Sequence, residues 1–140
     1  MPFPGILPDH PLYQVKRFRD NLLYTFSRNP VKKTELGLLF ADKKIGMSGL
    51  LLEKGKTSQG VEILLESQTD LLKTASLLPP LLQNNTLPVG LPDKIELSLK
   101  KHRELITSFS ELISDTKQKE KIRLALKYNN QATSIIEALK

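Results

Sequence analysis

Residues 57–80 read TSQGVEILLESQTDLLKTASLLPP, and this stretch decides the fold. Val61, Leu64, Leu65, Leu71, Leu72, Ala75 and Leu78 recur at three- and four-residue intervals, which places them on one face of a helix with polar residues around the rest. Thr57 or Ser58 suits the cap, because a hydroxyl accepts a hydrogen bond from the open N–H groups of a first turn. Pro79 and Pro80 end the helix, since proline lacks the N–H that would continue it.

Working outward, Gly55 separates this helix from another that begins at Asn29-Pro30, a cap followed by the residue favoured at the first helical position. That helix carries Leu38, Ala41, Ile45 and Leu52 on one stripe, with Leu36, Phe40, Met47 and Leu51 beside it. Gly37, Ala41 and Ser48 form a ridge of small residues that would let a neighbouring helix approach closely. Each of the mid-helix glycines Gly37, Gly46 and Gly49 costs roughly 1 kcal/mol, which such packing would offset, a hinge or ligand groove being the alternative. Downstream, Pro79 to Pro92 holds four prolines, Gly90 and the pair Asn84-Asn85, and reads as a loop pinned over the core by Leu81, Leu82, Leu87, Val89 and Leu91. A further helix runs from about Asp93 through Ile95, Leu99, His102, Ile106, Phe109 and Ile113. The last starts at Asp115 or Thr116 and runs through Ile122, Ala125, Leu126, Ala132, Ile135, Ile136 and Leu139. Ahead of them all, residues 1–10 read as an extended segment, with a leading helix from Pro11 to before Pro30 on which Ile6 or Leu7 packs as a hydrophobic staple.

The four later helices would each span roughly 30 to 38 Å at 1.5 Å per residue, and two of their links are short enough to force antiparallel hairpins. The expectation is therefore an all-α antiparallel bundle of about five helices, a leading helix plus two hairpins, forming one domain over residues 1–140. No period-two segment of useful length argues for a sheet.

The composition agrees. Of 140 residues 39% are hydrophobic and 26% charged, which excludes a disordered or collagenous chain. The absence of cysteine excludes a disulfide scaffold and thiol catalysis. Met1 to Leu12 has four prolines and no apolar core of a signal peptide, so the chain as it stands does not read as an export precursor. No window reaches the ~18 consecutive apolar residues of a membrane span. The net charge of +6 is dispersed: 11 basic and 8 acidic residues lie up to Leu78, 10 and 7 beyond it. Lys16, Arg17, Arg19, Lys32 and Lys33 are the densest group, and the junction of the first two helices is the one place to look for an anionic surface. Because Asp20 and Glu35 interleave with them, a solvated face is the better reading and nucleic acid an unlikely partner.

Chemistry-bearing residues are few. His102 falls in register with Leu99, Ile106 and Phe109, where a lone histidine is more often a hydrogen-bonded core or boundary residue than a base or ligand. His10 belongs to a turn, and no His/Glu pair at i, i+4 recommends zinc. Ser48 sits inside a helix rather than on a strand-turn-helix elbow, and the glycines around it follow no strand that would make a phosphate loop. Asn84-Asn85-Thr86 matches the N-glycosylation pattern, a common accident. Tyr13, Tyr24 and Tyr128 are too far apart for a stacking platform. Neither a catalytic residue nor a metal or cofactor site is expected.

The residues PGILPDHPLY at 4–13, NPVKK at 29–33, FADKK at 40–44, LEKGK at 52–56 and KHREL at 101–105 resemble a bacterial helical domain family of unassigned function. That family has a PGxLPDxPLY motif at its start, and here Pro8, Asp9, Pro11, Leu12 and Tyr13 would be its structural residues. Members often follow a signal peptide or membrane anchor, so the resemblance implies an extracytoplasmic domain. It brings no catalytic residues. The chain departs from the family in the glycines of the helix after Pro30, where alanine or charged residues are usual. The expected function is a non-enzymatic interaction or structural domain whose partner is a protein or the cell-envelope surface. A basic binder of anionic membrane or nucleic acid, and a carrier of a small apolar ligand with residues 79–92 as a lid, are the alternatives.

Overall fold

The computed structural model describes residues 29–140. The motif residues Pro8, Asp9, Pro11, Leu12 and Tyr13, the leading helix, and Lys16, Arg17 and Arg19 lie outside them. The described chain is helical, with α1 at Pro30–Glu53, α2 at Thr57–Ser76, a short α3 at Leu78–Gln83, α4 at Leu91–Glu111 and α5 at Thr116–Ala138. Among the described residues there is no strand, and no helix is long and apolar enough to cross a membrane.

Each end has a local cause. Asn29 Oδ1 accepts from the N–H of Val31 at 2.9 Å and of Lys32 at 3.4 Å, with Pro30 opening α1. At the far end of α1, Gly55 takes φ +78, so Lys56 N–H reaches the Leu51 carbonyl and Gly55 N–H that of Leu52. This is the left-handed stop anticipated from the sequence. Asp115 caps α5 by accepting from Gln118 N–H at 3.1 Å. Against expectation, α2 has no side-chain cap: Thr57 is already helical and Lys56 occupies the capping position.

The largest correction concerns residues 79–92. Pro79 and Pro80 do not begin a loop; they lie in the first turn of α3, where the missing N–H groups have no helical acceptor in any case. Asn85, at φ +56, ends α3 as Gly55 ends α1, with Asn85 N–H on Leu82 and Thr86 N–H on Leu81. Leu81 and Leu91 are buried as expected. Leu82 is 45% exposed and Val89 fully so, and these two point away from the core they were expected to pin. Helix α4 starts at Leu91, with Gly90 at φ +86 before it, and ends two residues short of Ile113.

The three-residue link between α1 and α2, and the four residues between α4 and α5, turn each pair back on itself. Going round the bundle, α1 packs on α2, α2 on α5, α5 on α4, and the α4–α1 seam closes it with the least contact. The α1–α2 contact is tight because small residues face each other. Gly37 lies against the Thr74 side chain, and Ser48 Oγ donates to the Gly60 carbonyl at 2.7 Å. The small-residue ridge of α1 is thus a packing surface. Apolar burial divides into two large clusters along the axis, with a small third one of Met47, Leu51 and Ile63. Leu38, Ala41, Leu71, Ala75, Leu99, Ala132 and Ile136 lie toward the α3 end, while Ile45, Val61, Leu64, Ile106, Ile122 and Ala125 lie toward the opposite end. At ~1.5–3 kcal/mol for each large side chain removed from water, these clusters drive folding.

Candidate functional site

Between the two apolar clusters each long helix places one polar residue at the same level: Asp42 between Ala41 and Ile45, Gln68 between Leu64 and Leu71, His102 between Leu99 and Ile106, Asn129 between Ala125 and Ala132. Gln68, His102 and Asn129 have no solvent exposure, and the Asp42 side chain retains 22%. Buried polar groups are tolerated only when bonded, and here they are bonded to one another.

The direction of these bonds follows from two groups that have no choice. A guanidinium can only donate, and a carbonyl can only accept. Arg103 Nε lies 3.2 Å from Asn129 Oδ1, and Asn129 Nδ2 lies 3.0 Å from the Leu99 carbonyl. These two contacts set the orientation of the Asn129 amide. Its second N–H goes to Gln68 Oε1 at 3.0 Å, so Gln68 must present its own amino group to His102 Nδ1 at 2.9 Å and to Ser67 Oγ, also at 2.9 Å. Nδ1 therefore accepts, and the ring hydrogen sits on Nε2, donated to Asp42 Oδ1 at 2.7 Å. Ser98 Oγ donates to the same oxygen at 2.7 Å, and Arg103 Nη2 reaches Thr133 Oγ1 at 2.8 Å. Burial pushes the Asp42 carboxyl up, but the hydrogen bonds from His102 and Ser98 outweigh it and hold the group below its usual value.

At one edge the network meets solvent through Asp42, at a shallow cleft on the α1–α4 seam lined by Leu38, Leu97, Ser98, Lys94 and Lys101. Serine, histidine and aspartate meet there, yet not as a nucleophile relay. In such a relay the hydroxyl donates to the imidazole, whereas here both Ser98 and His102 donate to the carboxylate, and the second imidazole nitrogen is engaged by Gln68. The arrangement joins helices. Among the described residues no group of three or more His, Asp or Glu is placed to hold a metal ion.

His102 is thus the hydrogen-bonded core residue its register suggested. Lys32 and Lys33 occupy the first turn of α1, one exposed and one half-buried; the other members of the expected basic group, Lys16, Arg17 and Arg19, lie outside the described residues. Asp42, Gln68, Ser98, Arg103 and Asn129 were not singled out from sequence. A signal was present, because Gln68 and Asn129 each interrupt an otherwise apolar series at helical spacing. Two of the short runs behind the family resemblance, FADKK and KHREL, supply Asp42, His102 and Arg103. Lys44, from the first of them, bridges α1 to α2 through Asp70 at 2.8 Å and Glu66 at 3.6 Å.

The lowered Asp42 pKa has a sign that can be tested. A carboxyl whose folded value lies below its unfolded value stabilises the fold above the unfolded value, near pH 4, and this contribution fades as pH falls through the folded value. Asp42→Asn should therefore be less stable than the parent at pH 6, and the gap should narrow between pH 4 and 2. Urea titrations across that range would show it; a gap that is constant with pH would contradict the assignment.

No curated protein and no solved structure matches the chain. A family model described as a domain of unknown function (DUF5667) matches residues 5–140, which takes in every described element and the polar layer between the two apolar clusters. The chain belongs to the DUF5667 family of domains of unknown function.

Proposed function

We propose that this domain is a non-enzymatic interaction module, extracytoplasmic or membrane-tethered in the bacterial proteins that carry it, whose partner is a protein or the envelope surface. The observation that supports this most is the polar layer. In this layer Ser98, His102 and Asp42 are tied to one another across helices, which leaves the Ser98 hydroxyl without a base and both His102 ring nitrogens engaged. The extracytoplasmic setting rests on the sequence resemblance alone.

The contact region in this reading is the end of the bundle beside α3. There Leu82, Leu87, Val89 and Leu139 line a shallow groove, with Val89 fully exposed, and exposed apolar residues gathered in one place favour association. Lys140 pairs with Asp93 at 2.7 Å and Glu96 at 2.9 Å at the rim, which ties the end of α5 to the first turns of α4 beside the groove.

Two measurements test the reading together. A photo-crosslinker at position 89, used in the native host, should give a discrete adduct that excess unlabelled domain competes away and Leu82→Asp abolishes. A panel of esterase, phosphatase and glycosidase substrates should show no turnover that Ser98→Ala removes. Turnover lost in Ser98→Ala would replace the interaction reading with an enzymatic one. Saturable binding of nucleic acid at ~0.15 M salt, reversed by charge inversion at Lys32 and Lys33, would replace it with the basic-binder alternative.

A further inference from the structure

His102 stands between two neighbours with opposite demands. Across Nε2, the Asp42 carboxylate at 2.7 Å favours a charged imidazole; across Nδ1, the Gln68 amino group at 2.9 Å requires a bare lone pair. A second proton, placed on Nδ1, would meet the amide hydrogens of Gln68. Turning Gln68 to offer its oxygen would set its amino group against that of Asn129. Turning Asn129 in response would oppose its amino group to Arg103 and its oxygen to the Leu99 carbonyl. No set of amide rotations satisfies every member once His102 carries two protons.

We infer that the polar layer is a proton-operated latch: uptake of a second proton by His102 breaks the chain at the α2 side while keeping α1 and α4 joined through Asp42. This goes beyond the interaction reading and stands without it. Among the described residues, the groups around His102 are few. α1 presents Asp42, while its Lys44 is engaged by Asp70 and Glu66 of α2. α2 itself presents the neutral Gln68 and Ser67. α5 presents the neutral Asn129. On α4, Arg103 points to Asn129 and Thr133, with Lys94 and Lys101 at the cleft outside Asp42. Among the described residues the only carboxylate in contact with the ring is therefore on α1, so charging the ring strengthens one joint and severs the other.

The test is nitrogen and proton NMR on the full 140-residue chain, with His10→Gln leaving one imidazole to follow from pH 8 to pH 5. At pH 8 the ring should show the Nε2–H tautomer. As His102 takes up its second proton, the side-chain amide signals of Gln68 and Asn129 should move with the same midpoint, and backbone exchange around Gln68 should accelerate tenfold or more. Gln68→Glu, which supplies an acceptor for Nδ1–H, should raise proton affinity at His102 at least tenfold and remove the jump in exchange. Should that variant fail to fold, the titration of the parent decides alone. Protonation of His102 with Gln68 and Asn129 unmoved would overturn the latch, as would an Nδ1–H tautomer at pH 8, or no protonation down to pH 5.

Discussion

Asn129→Leu is expected to lower the unfolding free energy by about 3 to 5 kcal/mol, although leucine has the same branching and number of side-chain heavy atoms as asparagine and the higher helix propensity. The loss comes from the partners left behind. Gln68 Oε1 loses its donor, Arg103 Nε loses its acceptor, and the Leu99 carbonyl keeps only what its own helix provides. Each buried group stranded in this way costs about 1 to 3 kcal/mol, and the added apolar surface of leucine offsets part of the sum. Asn130, the next residue, is exposed, and Asn130→Leu should stay within about 0.5 kcal/mol of the parent. Urea unfolding of the two variants side by side measures the contrast; similar stabilities would mean that the Asn129 bonds carry little energy. Replacing Asp42, Gln68, His102 and Asn129 together by apolar residues is a different experiment, since it strands no neighbour among the four. Such a core should recover stability while losing the device that sets the relative height of the helices.

The parts of the fold that were legible in the sequence are those with a single local cause. Asn29-Pro30, Gly55 and Asp115 mark helix ends because capping and left-handed turns depend on one or two residues. The apolar series of α2 likewise needs nothing but its own spacing. Legibility fails between Pro79 and Pro92, because proline marks the end of one helix and the first turn of the next equally well. Leu82 and Val89 were misplaced for a related reason: apolar character says that burial is favourable, not that the backbone geometry allows it. The polar layer was half legible. His102 stood out by residue type, whereas the role of Asp42, Gln68 and Asn129 depends on four helices meeting at one height, a relation that spacing within a single helix does not contain. That same relation turns a lone histidine from an expected packing residue into the centre of a directional network.

The close approach of α1 and α2 supports the second large expectation, that Gly60→Val destabilises the fold by about 3 kcal/mol. A Cβ at Gly60 would lie 3.0 Å from Leu52 Cγ and Cδ2 and 3.2 Å from the Ser48 carbonyl oxygen. Leu52 is a flexible side chain and can yield. The Ser48 carbonyl belongs to the backbone of α1 and is held there by helical bonding, while the Ser48 hydroxyl draws the two helices together through the Gly60 carbonyl at 2.7 Å. A branched side chain must therefore push the helices apart and break that bond. Gly49→Ala provides the contrast, because its new methyl would meet only the Phe109 ring, at 3.2 Å from Cζ, the far end of a side chain that can swing aside. There the gain in helix propensity, up to about 1 kcal/mol, should leave the variant as stable as the parent or more so. Thermal unfolding of both variants separates the explanations. A Gly60→Val protein that melts with the parent would show that the α1–α2 seam tolerates separation, and that its small residues are incidental to the packing.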